Sequence, residues 1–232
     1  SDAVQSLALW ERSEPAPMSA YTLTIEHVLK HPVRDIHPIA WSLFYHMRYA
    51  AHPVPDAVLY AMMIRACAAG VPQPNTMPLR RKRTMEADAE RALDLFREMT
   101  VHHGVRPNKE VYDSLILTCA RRKDHYADAL RLLHELVEGD HTRLWPDAYT
   151  YNAVLQGSAR HGDLTTARWI LADMVRSVMA DAHRLRRPNE DTLAHVFWTY
   201  AVYQPPIDRH QLSSIEATQS SDAEGLVAEA AA

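Results

Sequence analysis

Fourteen histidines, two cysteines and 29 acidic residues are the side chains in this 232-residue sequence that could hold a metal, attack a substrate or move a proton. A zinc site needs ligands in close pairs, and the histidines are scattered with no two Cys/His pairs spaced that way. His134-Glu135 opens like a zincin helix, but Glu138 stands where the second histidine belongs, and Leu136 falls on an apolar helical stripe. Six glycines leave no room for a phosphate-cradling loop, and no Gly-x-Ser-x-Gly elbow or gathered set of nuclease carboxylates occurs. The sequence therefore predicts no enzyme activity, no catalytic residue, no cofactor and no metal. Cys67 and Cys119 are too few for a disulfide framework and suit a reducing compartment.

The remaining chemistry is charge. The formal balance is −4, yet residues 211–232 carry four acidic groups and no Lys or Arg, so the body before them is neutral. A neutral body weighs against tight nonspecific binding to a polyanion. The cations are nevertheless clumped, at Arg80 to Arg83, at Arg121, Arg122 and Lys123, and at Arg184, Arg186 and Arg187. Local field follows such clusters rather than the net charge. No run of apolar residues is long enough for a membrane span. The chain opens on Ser1 without an Arg-rich, acid-poor presequence, which reads as a processed or excised piece.

The elements that would position these groups emerge from a repeat. Ala, an aliphatic three residues on, an aliphatic or Phe four on, and Met or Leu seven on recur as Ala40/Leu43/Phe44/Met47, Ala92/Leu95/Phe96/Met99, Ala129/Leu132/Leu133/Leu136 and Ala167/Ile170/Leu171/Met174. That spacing puts four side chains on one stripe of a helix. Pro followed by Asp or Asn comes after each, at 55–56, 107–108, 146–147 and 188–189, which stops one helix and caps the next. A second stripe then opens in constant register: Tyr60/Met63/Ile64/Cys67, Tyr112/Leu115/Ile116/Cys119, Tyr151/Val154/Leu155/Ser158 and Leu193/Val196/Phe197/Tyr200. The equivalent places of the two cysteines argue for packing over redox chemistry. Trp41 and Trp169 are likewise expected in the core. The Ala positions lie 52, 37 and 38 residues apart, the long interval containing a Pro-rich basic loop from Gly70 to Met85. Two helices per unit of that length predict an all-α, α-α superhelix, a right-handed solenoid of helical hairpins like that of tetratricopeptide repeats. Its expected bounds are an extension at 1–16, hairpins at 17–56, 57–108, 109–147, 148–189 and 190–217, with a short helix near 209–217, and an acidic flexible tail at 218–232.

Tyr151-Asn152, Gly157, His161-Gly162-Asp163, the Ala167 to Met174 stripe and the closing Pro188-Asn189 resemble the pentatricopeptide repeat, and the likeness extends over about residues 20 to 203. Members of that family are mostly organellar RNA-binding proteins. The resemblance implies base-reading pairs at Ala61 with Asn108, Asp113 with Asp147, and Asn152 with Asn189. It implies a base-sandwiching residue at Val58 and Tyr149, whose equivalents here are Glu110 and Asp191, and phosphate contacts at Arg121 and Arg160. Asn152 with Asn189 looks like a pyrimidine-preferring pair, whereas two carboxylates at 113 and 147 are atypical and should repel a phosphate backbone. The plainer readings are a solvated Asn152 and ordinary surface arginines. The expected function is single-stranded RNA binding in the mitochondrial matrix, non-catalytic, in transcript stability, processing or translation. The mitochondrial ribosome or other RNA-processing proteins are the expected further partners. The alternative is a protein-protein adaptor or structural component, for example of a mitochondrial ribosome, which the neutral body, Glu110 and Asp191 favour.

Overall fold

The structure, a computed structural model, describes residues 2–12, 14–30, 36–69, 71–72, 85–138, 144–179 and 187–205. The expectations for Arg80 to Arg83, Arg184, Arg186, the helix near 209–217 and the tail at 218–232 fall outside them. Residues 1–202 form one compact unit, and Tyr203–Ala232 a second of which only 203–205 are described.

Ten α-helices carry the described part of the first unit: α1 (Asp2–Trp10), α2 (Met18–Lys30), α3 (Ile36–Ala50), α4 (Ala57–Ala68), α5 (Ala89–Arg97), α6 (Lys109–Ala120), α7 (Tyr126–Glu138), α8 (Ala148–His161), α9 (Leu164–Met179) and α10 (Glu190–Val202). Each Pro-Asp/Asn dipeptide starts a helix as its chemistry dictates. Asp56 accepts from the N–H of Leu59 at 2.8 Å, Asn108 from Val111 at 3.0 Å, Asp147 from Thr150 at 3.0 Å and Asn189 from Thr192 at 2.9 Å. Thr150 and Thr192 reciprocate by accepting from the N–H of their caps, closing two capping boxes. Gly162 ends α8 at φ 66°, the left-handed conformation that glycine adopts without a Cβ penalty, and its N–H satisfies the carbonyl of Ser158.

Helices pair as α2/α3, α4/α5, α6/α7 and α8/α9, and the first members also pack on one another in the row α2, α4, α6, α8, α10. The sequence-derived stripes are what they bury. Tyr60, Met63, Ile64 and Cys67, Tyr112, Leu115, Ile116 and Cys119, and Tyr151, Val154, Leu155 and Ser158 are all inaccessible or nearly so, as are Ala92, Met99, Ala129, Leu136, Ala167 and Met174. Burial first, then the nearby Asp88 and Asp128, pushes the Cys67 and Cys119 thiols up to about 12, so neither is a thiolate at neutral pH.

A tyrosine-carboxylate bond ties the two helices of three successive hairpins. The Tyr60 hydroxyl donates to Glu98 at 2.8 Å, Tyr112 to Glu135 at 2.9 Å and Tyr151 to Asp173 at 2.6 Å. In every case the acid immediately precedes the last residue of the second-helix stripe. In the first hairpin His46 holds that place, and Tyr21 donates instead to Glu11, which also meets His46 Nε2 at 3.1 Å. Glu98 sits in a π-helical turn, Glu98–His102, that continues α5; Arg48 pairs with it at 2.7 Å.

Three details depart from expectation. Trp169 is 44% exposed, because two residues past Ala167 it points away from the stripe, whereas Trp41 is buried. Leu193, Phe197 and Tyr200 are exposed while Val196 is buried, since no described helix covers that side of α10. The chain between α4 and α5 also carries a two-residue antiparallel pairing, Val71–Pro72 with Met85–Glu86, which closes the base of the inserted segment.

Gly157 marks a close approach between repeats. A Cβ there would lie 2.7 Å from the Tyr126 ring and 3.2 Å from the carbonyl of Ala120. Tyr126 cannot swing aside, since its hydroxyl bonds Ser158 at 2.8 Å and Asp163 at 3.0 Å and its ring stacks on His161. Gly157→Ala is expected to lose about 1–2 kcal/mol in urea unfolding even after its gain in helix propensity. Tyr151→Phe, which removes one hydroxyl from a partly exposed carboxylate, is expected to lose about 1 kcal/mol in the same measurement.

Candidate nucleic-acid interface

Each of α4, α6 and α8 has first-helix neighbours on two sides and its hairpin partner on a third, which leaves one open side that the equivalent positions of α10 continue. Helical spacing assigns that side to Val58, Met62 and Arg65 in α4 with its C-cap Ala69, Glu110, Ser114 and Leu117 in α6 with its C-cap Arg121, Tyr149, Ala153, Gln156 and Arg160 in α8, and Asp191, His195, Trp198 and Val202 in α10. All are exposed or half-buried except Ser114 and Ala153. Val58, Tyr149, Arg121 and Arg160 thus share the open side of the row, with Glu110 and Asp191. Arg65 and Trp198 join them unforeseen, although both lie seven residues beyond a residue that the resemblance had singled out. Arg65 reaches over α6 to the ring of Tyr149, its guanidinium carbon 5.8 Å from the centroid.

The two arginines also do structural work. Arg121 donates to the carbonyl of Ala68 at 2.7 Å and to Gln156 at 3.4 Å, and Arg160 donates to the carbonyl of Arg121. Each therefore places a cation on the C-terminal carbonyls of the preceding first helix, where the helix dipole is negative. Desolvation first, then Arg121, lowers the pKa of Arg160. Both guanidiniums keep further N–H groups beyond these bonds.

The three pairs differ in character. Ala61 is 4% exposed, enclosed where α4 meets α6, and Asn108 uses its side-chain oxygen as the cap of α6, so this pair offers a ligand little. Asp113 is 8% exposed and shares Lys109 with Asp147, the ammonium standing 2.9 Å from Asp147 and within bonding distance of Asp113. The repulsion of a phosphate backbone expected from the two carboxylates is thereby only partly offset, since one ammonium stands against two negative charges. The signal was present in the sequence as Lys109 and Asp113 at four-residue spacing.

Asn152 and Asn189 are joined directly. Asn189 Oδ1 accepts from the N–H of Thr192, which fixes the orientation of that amide. Asn152 meets the same oxygen at 3.0 Å and must present its NH2, and Thr192 Oγ1 donates to Asn152 Oδ1 at 2.7 Å. Beyond this bond the pair retains both N–H groups of Asn189 and one of Asn152. Among the described residues no group of three or more His, Cys, Asp or Glu could hold a metal ion, and no helix is long and apolar enough to cross a membrane.

Comparison with known proteins places this arrangement. Residues 149–177, which span α8 and α9, match the pentatricopeptide (PPR) repeat. The chain is 25% identical over 185 residues to the mitochondrial 15S rRNA processing factor CCM1 of Candida tropicalis, covering 79% of this chain and 21% of that protein. It is 31% identical over 140 residues to the factor of the same name in Yarrowia lipolytica, covering 60% of this chain and 16% of that one. The chain spans about a fifth of the length of these relatives. Among solved structures, the pentatricopeptide repeat protein PPR10 in complex with an 18-nucleotide psaJ RNA element superposes with a TM-score of 0.54 over 86% of this chain and 25% of that chain, at 20% identity. Residues 149–177 are thus a pentatricopeptide repeat, and the chain, whose other hairpins repeat the same caps and stripes, is similar over most of its length to proteins built from that repeat.

Proposed function

We propose that this chain is the RNA-binding part of a mitochondrial RNA-processing protein, a helical array that holds single-stranded RNA along the open side of its first helices and does no chemistry of its own. The array meant is that of residues 17–217, in the hairpins 17–56, 57–108, 109–147, 148–189 and 190–217. The relatives support the compartment, the matrix being the specific location proposed, and their name supports ribosomal RNA processing as the setting. The solved PPR10 complex supports RNA as the ligand of such an array.

The observation that carries the reading is the oriented amide pair Asn152 and Asn189. Its remaining groups are mostly N–H donors, which suits a base edge rich in acceptors, such as O2 and N3 of cytosine or the carbonyls of uracil. Tyr149 and Val58 lie on the same side for stacking or packing against bases, and Arg121 and Arg160 have N–H groups left for phosphates. Arg65 and Trp198 extend the same surface with one more cation and one more aromatic face.

The exposed Leu193, Phe197 and Trp198 support a second reading, an adaptor that docks a protein segment, for instance as a component of a mitochondrial ribosome.

Binding of labelled pyrimidine-rich and purine-rich single strands at two salt concentrations tests these readings. Intact protein is expected to prefer the pyrimidine strand. Asn189→Asp keeps a good helix cap but replaces two donors by an acceptor, and is expected to abolish the preference and cost about tenfold in affinity. Arg121→Ala/Arg160→Ala is expected to weaken both strands alike and to flatten the salt dependence by up to about 1.4 in the log-log slope. No detectable binding by intact protein at low salt would overturn the RNA reading in favour of the adaptor.

A further inference from the structure

Lys109 opens α6 at a place where its counterparts in α4, α8 and α10 are Ala57, Ala148 and Glu190. An ammonium has three N–H donors and no acceptor. Here three partners surround it: Asp113, Asp147 at 2.9 Å and the Thr150 hydroxyl oxygen at 3.4 Å. The single Thr150 hydroxyl proton goes to Asp113 at 2.6 Å in preference to Asp147 at 3.1 Å. Asp147 is further engaged by the N–H of Thr150, which it caps.

The contrast with the next pair along the row is direct. Thr192 donates to Asn152 as Thr150 donates to Asp113, but among the described residues no lysine stands over Asn152 and Asn189, which keep both N–H groups of Asn189 and one of Asn152. Burial holds Asp113 above the usual carboxylate range despite Lys109 and Thr150. At Asp147 the bonds to Lys109 and Thr150 outweigh burial and hold it below that range. To meet a base, Asp113 would have to leave Lys109 or Thr150, stranding charge in a desolvated seam.

We propose that Lys109 closes the pair Asp113 and Asp147, so that the α6 hairpin spans a nucleotide without discriminating its base while the α8 hairpin reads one through Asn152 and Asn189. The role in specificity rests on the RNA-binding function proposed for the array. Lys109 is then a specificity-determining residue that acts by occupying two would-be base-reading side chains.

Two arms test it. The first needs no RNA: thermal unfolding of the 232-residue chain and of its Lys109→Met, Asp113→Asn and Lys109→Met/Asp113→Asn variants. Closure predicts that Lys109→Met alone melts well below the parent at pH 7 and that the double variant regains most of the loss. The deficit of Lys109→Met should also shrink as pH falls towards 4. Two effects agree in sign there. Asp147, depressed by Lys109 in the parent, loses that contribution as pH falls through the carboxylate range, and the unpaired Asp113 of the variant becomes neutral. Lys109→Met melting with the parent at pH 7 would overturn the closure.

The second arm replaces each nucleotide of a bound pyrimidine strand in turn by the other bases. Intact protein is expected to discriminate at the position read by Asn152 and Asn189 and to tolerate every base at the adjacent position facing α6. Lys109→Met/Asp113→Asn, folded by circular dichroism, is expected to gain about fivefold discrimination there. Discrimination at both positions by intact protein, or none gained by the double variant, would overturn the proposal. Failure of intact protein to bind any strand would instead overturn the RNA reading and, with it, the proposed role in specificity, the melting arm still deciding the closure.

Discussion

A hairpin of this kind has apolar stripes on both helices and no third element to cover them, so it is stable only against a neighbour. Stripes such as Tyr151, Val154, Leu155 and Ser158 against Ala167, Ile170 and Met174, with Leu171 partly covered, are buried at the cost of forcing hairpins into a row. Each large apolar side chain so buried contributes about 1.5–3 kcal/mol. First helices therefore lie side by side, one of their faces stays open, and α10, beyond which no helix is described, leaves Leu193 and Phe197 exposed. The tyrosine-carboxylate bonds add direction to this non-directional force. A phenol that must reach Glu98, Glu135 or Asp173 fixes the roll of one helix against its partner, which apolar contact alone would leave loose.

The seam between consecutive first helices solves one steric problem in three chemical ways. The same pair of positions holds buried Ala61 and Val111, then the acid Asp113 with Thr150, then the amide Asn152 with Thr192. The apolar version needs no partner, the charged one needs Lys109, and the amide one is satisfied by neutral neighbours. The groups that would distinguish a ligand are thus also the groups that seal the packing between repeats. Arg121 and Arg160 have the same double character, since each caps the helix before it and lines the open side.

The open side is where charge acquires local meaning. Arg65, Arg121 and Arg160 stand on it with Glu110 and Asp191, in a body of zero net charge. Cations brought together by helical spacing set a field that overall composition conceals. Tyr149 and Trp198 add planar faces to it, and Arg65 already rests over one of them.

Periodicity, caps and turn residues determined most of the fold by themselves, because the 3.6-residue repeat and the Pro-Asp/Asn signal are local and every hairpin states them again. They could place Tyr60, Tyr112 and Tyr151 in one register, and they could bring Asn152 and Asn189 to attention through the family they resemble. They could not say that each tyrosine would find a carboxylate 22 to 38 residues away. Nor could they say that Ala61 would be enclosed, that Arg121 and Arg160 would bond carbonyls of the preceding repeat, or that Lys109 would pair with Asp113 and Asp147 together. Those outcomes depend on how far one helix sits from the next and on which polar atoms lose water when they meet, and only the packed array decides either.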